Sequence, residues 1–317
     1  MGNHLYRLTS VALFVAAVGV LVQTLPQQQR LRSWVLGLAA LTTINAFAAS
    51  VWLGQVDALI VFALAVCLWG IHTGRLGAAG VGLGVATSLK ISPGVLLIYL
   101  IVRRQWRAVG AAAFTMMVLM VAALLIGRPE DLLRFVLHVS PPLAQGSRFW
   151  QNQALPALLA RLTTSSPDLI AYATGLGLWR VATLLIVVGG VIAVWWQRRD
   201  QPLTAPEAVM LILVGLLAGP ITWNHYLSWA LVILASAGHL WPSDDFDNFP
   251  RRSLFTRLLL VAWATLVVPM PLSPNAGSVL YWVRTSLPTL GLMMLIVSQS
   301  FVLVQTVKHR SKEVERP

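Results

Sequence analysis

The sequence predicts an all-α protein, a polytopic bundle of transmembrane helices that forms a single integral-membrane domain over residues 1–317. Three observations support this fold class. Hydrophobic residues make up 57% of the chain and charged residues 11%, with a mean hydropathy of +0.74, a balance not found in soluble domains of this length. Apolar runs of membrane-spanning length recur along the chain. The Lys and Arg residues cluster in the short loops between those runs, as the positive-inside rule requires.

The same composition narrows the partners and the chemistry that we expect. The formal net charge of +12 does not indicate a nucleic-acid partner, because the cations are distributed over the loops beside the membrane. A single cysteine, Cys67, excludes an intrachain disulfide and a cysteine-ligated metal cluster. The sequence has no His or Cys spacing typical of a metal site and no glycine-rich phosphate loop, so neither a metal nor a cofactor is predicted.

The first part of the chain contains three predicted spans, and the turn between the second and the third carries two polar residues. Arg7 precedes the first span, whereas Arg30 and Arg32 follow it, which places the N-terminus on the outer side of the membrane. Gln55 and Asp57 belong to an outer turn between the second and third spans. The spans expected in this part are Leu8–Leu25, Trp34–Leu53 and Val56–Ile71.

A broken apolar stretch follows over Gly77–Arg107. Lys90 stands three residues before Pro93, which lacks an amide donor and disfavours helical backbone before it, so a helix should end near Lys90. Basic flanks on both sides predict a hairpin that enters the membrane from the cytoplasmic side and returns there. Arms of about 12–14 residues would extend about 20 Å and place Lys90 deep toward the outer side. The glycines in Gly80–Gly84 are expected to allow close helix packing.

The remaining spans enclose one long outer segment, residues 127–168. Pro129 and the two acids after it are typical of a helix start, and a short amphipathic helix should continue until Pro141 ends it. Leucines at helical spacing predict a second short helix from Leu155, on the membrane surface or on the bundle. The spans expected after the hairpin are Ala108–Ile126, Leu169–Trp196, Ala208–Thr222, Leu227–Trp241, Leu254–Pro269 and Val279–Val307, which gives about eleven membrane segments with the two hairpin arms.

Six polar residues converge on the outer side in this topology, and we take them as candidate substrate-binding residues. They are Gln55, Asp57, Lys90, Arg148, Asn152 and His225. A buried ammonium such as that of Lys90 needs a partner, and a phosphate group at the hairpin tip is one candidate. The alternative is a carbonyl or carboxylate that only holds the tip together. Asp57 has the alternative of capping the following helix, His225 that of bonding a carbonyl, and Arg148 that of meeting lipid phosphates nonspecifically.

Four short motifs occur in an order that resembles a known family. They are Leu-Gly-Gln-Val-Asp at 53–57; Leu-Lys-Ile-Ser-Pro at 89–93 with Leu-Leu-Ile-Tyr at 96–99 and Arg-Arg-Gln-Trp-Arg at 103–107; Asn-Gln-Ala-Leu at 152–155 with Ala-Arg-Leu at 160–162; and Trp-Asn-His-Tyr at 223–226. Their order and spacing resemble glycosyltransferase family 87, the polyprenyl-phosphate-mannose-dependent mannosyltransferases of the GT-C class. Each motif is short, and together they cover the chain from the first outer turn to the turn of His225.

The resemblance implies a membrane enzyme that transfers a hexose, mannose in the family, from a polyprenyl-phosphate donor to a lipid or glycan acceptor. It implies a multi-pass protein of the bacterial inner (plasma) membrane, with transfer on the outer face. The tail, residues 308–317, is basic and is therefore expected in the cytoplasm. Lys90 and His225 would then stabilise the lipid phosphate, and Gln55 and Asn152 would bind sugar or phosphate oxygens. The implied partners are the donor and membrane lipids, and no cofactor is implied.

One part of the family pattern is missing from this sequence. Members carry, before the region that this chain resembles, one more span and an outer loop with the catalytic Asp and a Tyr-Pro-Pro segment. The resemblance therefore implies a catalytically incomplete chain, in which Asp57 is the candidate replacement for the base. Two alternatives stay open: a non-catalytic relative that only binds the lipid carrier, and a transporter or flippase of lipid-linked sugars. A transporter should have polar residues leading to both faces, whereas here they gather on one.

Overall fold

The computed structural model describes residues 2–25, 27–43, 45–163, 177–199, 203–229, 252–268 and 279–314. Over these ranges all regular secondary structure is helical, and the one β-type pairing is an isolated antiparallel bridge between Asn152 and Trp223. The predicted all-α class is therefore confirmed. The organisation of the chain as one domain stays a prediction.

Fourteen α-helices, one π-helical turn and one 3-10 helix make up the described structure. The first seven are α1 (Gly2–Val22), α2 (Gln27–Thr43), α3 (Asn45–Trp52), α4 (Asp57–His72), α5 (Leu76–Leu89), α6 (Gly94–Val102) and α7 (Trp106–Ile126). The others are α8 (Pro129–Arg134), the π-helical turn (Phe135–Val139), α9 (Ser140–Gln145), α10 (Leu155–Leu162), α11 (Gly177–Arg198), α12 (Ala205–Ala218), the 3-10 helix (Asn224–Trp229), α13 (Arg252–Val267) and α14 (Val279–Val314).

Two of these helices, α1 over His4–Val22 and α7, are long and apolar enough to cross a membrane, and α2 with α3 would make a third span if the bent pair is counted. Five shorter apolar helices of 10–17 residues accompany them. The count of about eleven membrane segments therefore stays a prediction. Residues 164–176 and 230–251, which include parts of two predicted spans and the end of the long outer segment, lie outside the described residues.

The second span, predicted as one helix over Trp34–Leu53, is instead two helices bent by 63°. The Thr43 hydroxyl donates to the Ala39 carbonyl at 2.6 Å, and such back-bonding competes with the hydrogen bonds of the helix and bends it. The Asn45 amide donates to the Val267 carbonyl at 2.6 Å, which ties the start of α3 to α13.

Glycines on α5 bring it into backbone contact with α4 and α7. A Cβ atom added at Gly82 would lie 2.4 Å from the carbonyl oxygen of Ala63 on α4. A Cβ atom added at Gly80 would lie 2.2 Å from the carbonyl oxygen of Ala108 on α7. Any larger side chain at these positions would force the neighbouring helix away, so the predicted packing role of the glycines is confirmed.

The predicted break of the hairpin is confirmed as well. Helix α5 ends at Leu89, and Lys90 has extended backbone, with φ −149° and ψ 133°. The returning arm, α6, has 9 residues against 14 in α5 and is shorter than predicted. The reason is a tight turn at Arg104, whose φ of 55° is unusual for a residue other than glycine, after which α7 begins at Trp106.

The prediction that Pro141 ends a helix is wrong. Helix α8 begins with Pro129 in its first turn, as predicted, and runs through the π-helical turn into α9, whose own first turn contains Pro141. Proline is tolerated there because the first N–H groups of a helix have no intrahelical acceptor. Helix α10 over Leu155–Leu162 is confirmed and packs on the bundle against α11, α12 and α14.

The order of the helices separates two ends of the bundle. We call the end that carries the Gly54–Asp57 turn, the hairpin tip at Lys90 and the Trp223–Tyr226 turn the site end. We call the opposite end, where α6 finishes at Val102 and α12 begins at Ala205, the base end.

Candidate substrate-binding site

The carboxylate of Asp57 is the centre of the candidate site. Asp57 is the first residue of α4 and is fully buried. Its Oδ1 accepts hydrogen bonds from the Lys90 ammonium at 2.6 Å and from the Trp229 indole N–H at 3.0 Å. Its Oδ2 accepts the hydroxyl of Ser50 at 3.2 Å. The N-cap residue of α4 is Val56, and the carboxylate of Asp57 turns into the bundle to bond Lys90, Trp229 and Ser50 instead of capping the helix, so the capping alternative is wrong.

Lys90 connects the hairpin tip to the 3-10 helix. Its ammonium lies 3.4 Å from the centroid of the Tyr226 ring and 5.7 Å from that of the Trp229 ring, and its side chain is 13% exposed. The two rings are stacked, with centroids 5.5 Å apart. The ammonium thus has a carboxylate on one side and an aromatic face on the other, and both stabilise a cation where water is scarce. The carboxylate alternative for Lys90 is realised in this structure, and a phosphate contact would be additional to it.

His225 is the third ionisable residue of the cluster. Its Nε2 lies 3.9 Å from Asp57 Oδ2, and its side chain is 12% exposed. Burial lowers the pKa of His225 from 6.5 to about 4, an effect that Asp57 opposes and Lys90 reinforces. The imidazole is therefore neutral near physiological pH and offers one N–H donor rather than a second cation. Because Asp57 balances Lys90, the three residues together carry no net charge.

The half-buried, neutral His225 should make the protein less stable on acidification. In the unfolded chain the imidazole takes up a proton below its usual pKa of 6.5, whereas the folded protein resists protonation down to about 4. The unfolded state binds more protons between these values, so the free energy of unfolding should fall as the pH is lowered through that window. We expect the thermal midpoint of the wild type to drop between about pH 7 and about pH 5 by more than that of His225→Gln, which does not titrate. Equal drops in the two proteins would contradict a neutral His225.

Asn152 holds the long loop against the segment that leads into the 3-10 helix. Its side-chain oxygen accepts the backbone N–H groups of Thr222 at 2.7 Å and Ala154 at 3.2 Å. Its side-chain nitrogen donates to the carbonyls of Ser147 at 2.8 Å and Pro220 at 3.0 Å. An amide side chain has two donors and two acceptor sites, and all four are used here. A substrate contact at Asn152 would have to displace one of these bonds, and its predicted binding role stays a prediction.

The other two candidates, Gln55 and Arg148, are half-buried at the site end. The backbone carbonyl of Gln55 accepts the hydroxyl of Tyr6, which ties the first outer turn to α1. Arg148 lies on the loop between Ser147 and Phe149. Their predicted contacts with a substrate stay predictions, whereas the structure brings Asp57, Lys90 and His225 into one cluster.

Sequence reasoning missed two residues that shape the site and a third that lies at the base end. Trp229 and Ser50 both donate to Asp57 and were not among the candidates. The spacing could have indicated Trp229, because it follows Tyr226 by three residues and side chains three apart eclipse in a 3-10 helix, which is how the two rings come to stack. The third, Glu207, accepts hydrogen bonds from Arg103 and Tyr99 at the base end and gave no signal in the sequence.

Long and shorter apolar helices joined by short polar turns define a multi-pass membrane protein. This chain belongs to glycosyltransferase family 87, whose family model matches residues 3–220. The resemblance inferred from the motifs is thereby confirmed. The match includes the Gln55 turn, the hairpin and the Asn152 loop, and it ends just before Trp223, so the turn of His225 lies beyond it.

Curated relatives are similar to this chain at low identity. One is the polyprenol-phosphate-mannose-dependent alpha-(1-2)-phosphatidylinositol pentamannoside mannosyltransferase of Mycobacterium tuberculosis (strain CDC 1551 / Oshkosh), 25% identical over 224 residues, which are 68% of this chain and 46% of that protein. Another is the polyprenol-phosphate-mannose-dependent alpha-(1-2)-phosphatidylinositol mannoside mannosyltransferase of Mycolicibacterium smegmatis, 27% identical over 240 residues, or 68% of this chain and 51% of that protein. The chain spans about half the length of the curated relatives it matches. No solved structure matches it significantly.

Proposed function

We propose that this chain binds a polyprenyl-phosphate sugar at the Lys90 cluster and takes part in transferring its hexose, mannose, to a lipid or glycan acceptor. The family membership supports hexosyl transfer, and the names of the curated relatives support the polyprenol-phosphate donor. The observation that carries the proposal is the half-buried ammonium of Lys90, held at the tip of a broken hairpin beside the neutral imidazole of His225. The proposal includes the outer face of the bacterial plasma membrane as the place of transfer.

The cluster suits the leaving group of such a reaction. The donor is a phosphodiester with one negative charge, and cleavage of the bond between its anomeric carbon and the phosphate oxygen leaves a phosphomonoester with two. A preorganised ammonium at Lys90 and an N–H donor at His225 would stabilise the charge that develops on that oxygen. The hydrogen bond and ion pair from Asp57 fix the direction of the ammonium before the donor arrives.

The nucleophile in this reaction is an acceptor hydroxyl, whose oxygen bonds to the anomeric carbon and whose proton passes to a base. Asp57 is a poor candidate for that base, since it is fully buried and already accepts three hydrogen bonds. We assign it the role of orienting Lys90. This same observation favours the second candidate function, a relative that binds the lipid carrier without transferring the sugar.

Binding and transfer can be measured separately on the purified chain in lipid nanodiscs. Titration with decaprenyl phosphate, followed by native mass spectrometry, tests binding; radiolabelled decaprenyl-phosphate mannose with a phosphatidylinositol mannoside mixture tests transfer. Binding together with transfer would support the enzyme, and binding without transfer would support the carrier-binding relative. Failure to bind decaprenyl phosphate would overturn the proposal in both forms.

The orientation of the chain is a separate prediction. The placement of Arg and Lys puts the long segment after α7 outside and the C-terminal tail inside. In a Cys67→Ala background, Gln145→Cys on exposed α9 should react with an impermeant maleimide in intact cells, and Ser311→Cys should react only after permeabilisation. Labelling of Ser311→Cys but not of Gln145→Cys in intact cells would reverse the topology.

A further inference from the structure

A second buried ion pair lies at the base end, far from the candidate site. Glu207, near the start of α12, is fully buried. Its Oε2 accepts the Arg103 guanidinium at 2.8 Å and the Tyr99 hydroxyl at 2.6 Å. Its Oε1 accepts the Thr204 hydroxyl at 2.9 Å. Because Tyr99 lies on α6 and Arg103 directly follows it, this carboxylate fastens the base of the hairpin arm to the first turn of α12.

The same two helices touch again near the site end. Gly215 on α12 lies against the start of α6, where a Cβ atom added to it would be 3.1 Å from the Ser92 carbonyl oxygen and 3.7 Å from the Cβ atom of Val95. Eight residues separate Glu207 from Gly215, and eight separate Val95 from Arg103. At about 1.5 Å per residue both distances are about 12 Å, so the two helices lie antiparallel in matched register with a contact at each end.

These two contacts join the halves of the candidate site. The start of α6 follows the hairpin tip, which carries Lys90, and the end of α12 leads into the segment that carries His225 and Trp229. Sliding of α6 along α12 would therefore move the Lys90 ammonium relative to the imidazole. Stability alone does not require an ion pair at the base end, because a buried ion pair is rarely more stabilising than apolar residues of similar size. An ion pair with defined geometry does, however, fix one register of α6 along α12.

We propose that Glu207 is a positioning residue: by holding Arg103 and Tyr99 it sets the register of α6 on α12, and through that register it places Lys90 against His225. The proposal rests on the proposed function for its effect on the sugar donor. The register itself does not depend on it and has its own readout.

The register can be measured by cross-linking. In a Cys67→Ala background, the pair Val95→Cys and Gly215→Cys has the Cβ separation of a disulfide, 3.7 Å, and should cross-link readily with copper phenanthroline. Glu207→Gln keeps the shape of the side chain but removes the charge that balances Arg103. It should lower the cross-linking rate several-fold and, since a misplacement of about 1 Å can reduce a rate by about 10²-fold, it should lower kcat for transfer strongly. Glu130→Gln, an exposed acid on α8, is the matched control and should change neither.

The slowly formed disulfide should then restore the register. Oxidised Glu207→Gln/Val95→Cys/Gly215→Cys should regain transfer toward the level of the cysteine pair alone, and dithiothreitol should remove the gain in the same folded sample. Unchanged cross-linking in Glu207→Gln would overturn the positioning role whatever the function of the protein. If Glu207→Gln slows cross-linking but the protein with Glu207 neither binds decaprenyl phosphate nor transfers mannose, the role of Glu207 in the helix register stands and the proposed function is overturned. If the disulfide forms completely and transfer still stays at the low level of Glu207→Gln, the helix register does not control the position of Lys90, and the proposal is overturned.

Discussion

Replacing Lys90 by methionine is expected to lower the affinity for decaprenyl phosphate by about 10- to 150-fold, because a hydrogen bond to a charged group contributes about 1.5–3 kcal/mol. Methionine has a similar volume, so little packing is lost at the hairpin tip. Arg107→Met removes a cation at the exposed base end of the hairpin and should bind the lipid phosphate like the wild type. A loss shared by both variants would indicate a general effect of charge on lipid binding.

Loss of stability could also explain a loss of binding in Lys90→Met. Lys90→Met leaves the carboxylate of Asp57 buried without its counter-ion, and breaking such a pair is typically destabilising by about 3–5 kcal/mol. A folding defect alone could then abolish binding. Asp57→Asn removes the charge of the partner and keeps its shape, so Lys90→Met/Asp57→Asn should recover much of the stability lost in Lys90→Met.

The double variant distinguishes the two roles of Lys90. If Lys90 binds the phosphate, Lys90→Met/Asp57→Asn should be nearly as stable as the wild type in thermal unfolding and still bind decaprenyl phosphate as weakly as Lys90→Met. If Lys90 only compensates Asp57, binding should return together with stability. The second result would reduce Lys90 to a structural residue and leave the site without its phosphate-binding group.

Much of the frame of this site could be predicted from the sequence. Pro93 dictates the helix break at Lys90 through its missing N–H, the glycines of α5 dictate close packing, and the cation distribution separates the loops from the spans. These are local signals, readable from a few neighbouring residues. They suffice to bring the first outer turn, the hairpin tip and the Trp223–Tyr226 turn to one end of the bundle.

The two long-range ion pairs could not be predicted in the same way. Asp57 and Lys90 are 33 residues apart, and Arg103 and Glu207 are 104 apart. A buried cation in a membrane protein has several possible partners, among them carbonyls, carboxylates and lipid phosphates, and the sequence does not rank them. Asn152 shows the same limit, because an amide in a polar loop near a substrate site is equally compatible with sugar oxygens and with backbone groups. Only the helix packing decides among them.

Replacing Asn152 by alanine is expected to be strongly destabilising, comparable in size to breaking the Lys90–Asp57 pair. It would leave two backbone N–H groups and two carbonyls without their partner, all of them in the buried contact between the long loop and the segment before Trp223. Each unsatisfied buried group is destabilising by about 1–3 kcal/mol, and water can satisfy some of them, so a loss of at least about 3 kcal/mol is expected. Asn224→Ala, a half-buried asparagine on the 3-10 helix, is the matched control and should have a small effect.

Asn152 should also affect the affinity for the donor, because it holds the segment that leads to His225. Its bonds fix Pro220 and Thr222, from which the chain runs directly to His225 and Trp229, so their loss should loosen the half of the site that faces Lys90. We expect Asn152→Ala to lose decaprenyl-phosphate affinity in proportion to its loss of thermal stability, with both recovering together when the temperature is lowered. Asn152→Asp should behave similarly, because its carboxylate would face the carbonyls of Ser147 and Pro220 where the amide now donates. A variant of Asn152 with wild-type thermal stability and no donor binding would contradict this account and identify the amide as a direct contact of the substrate.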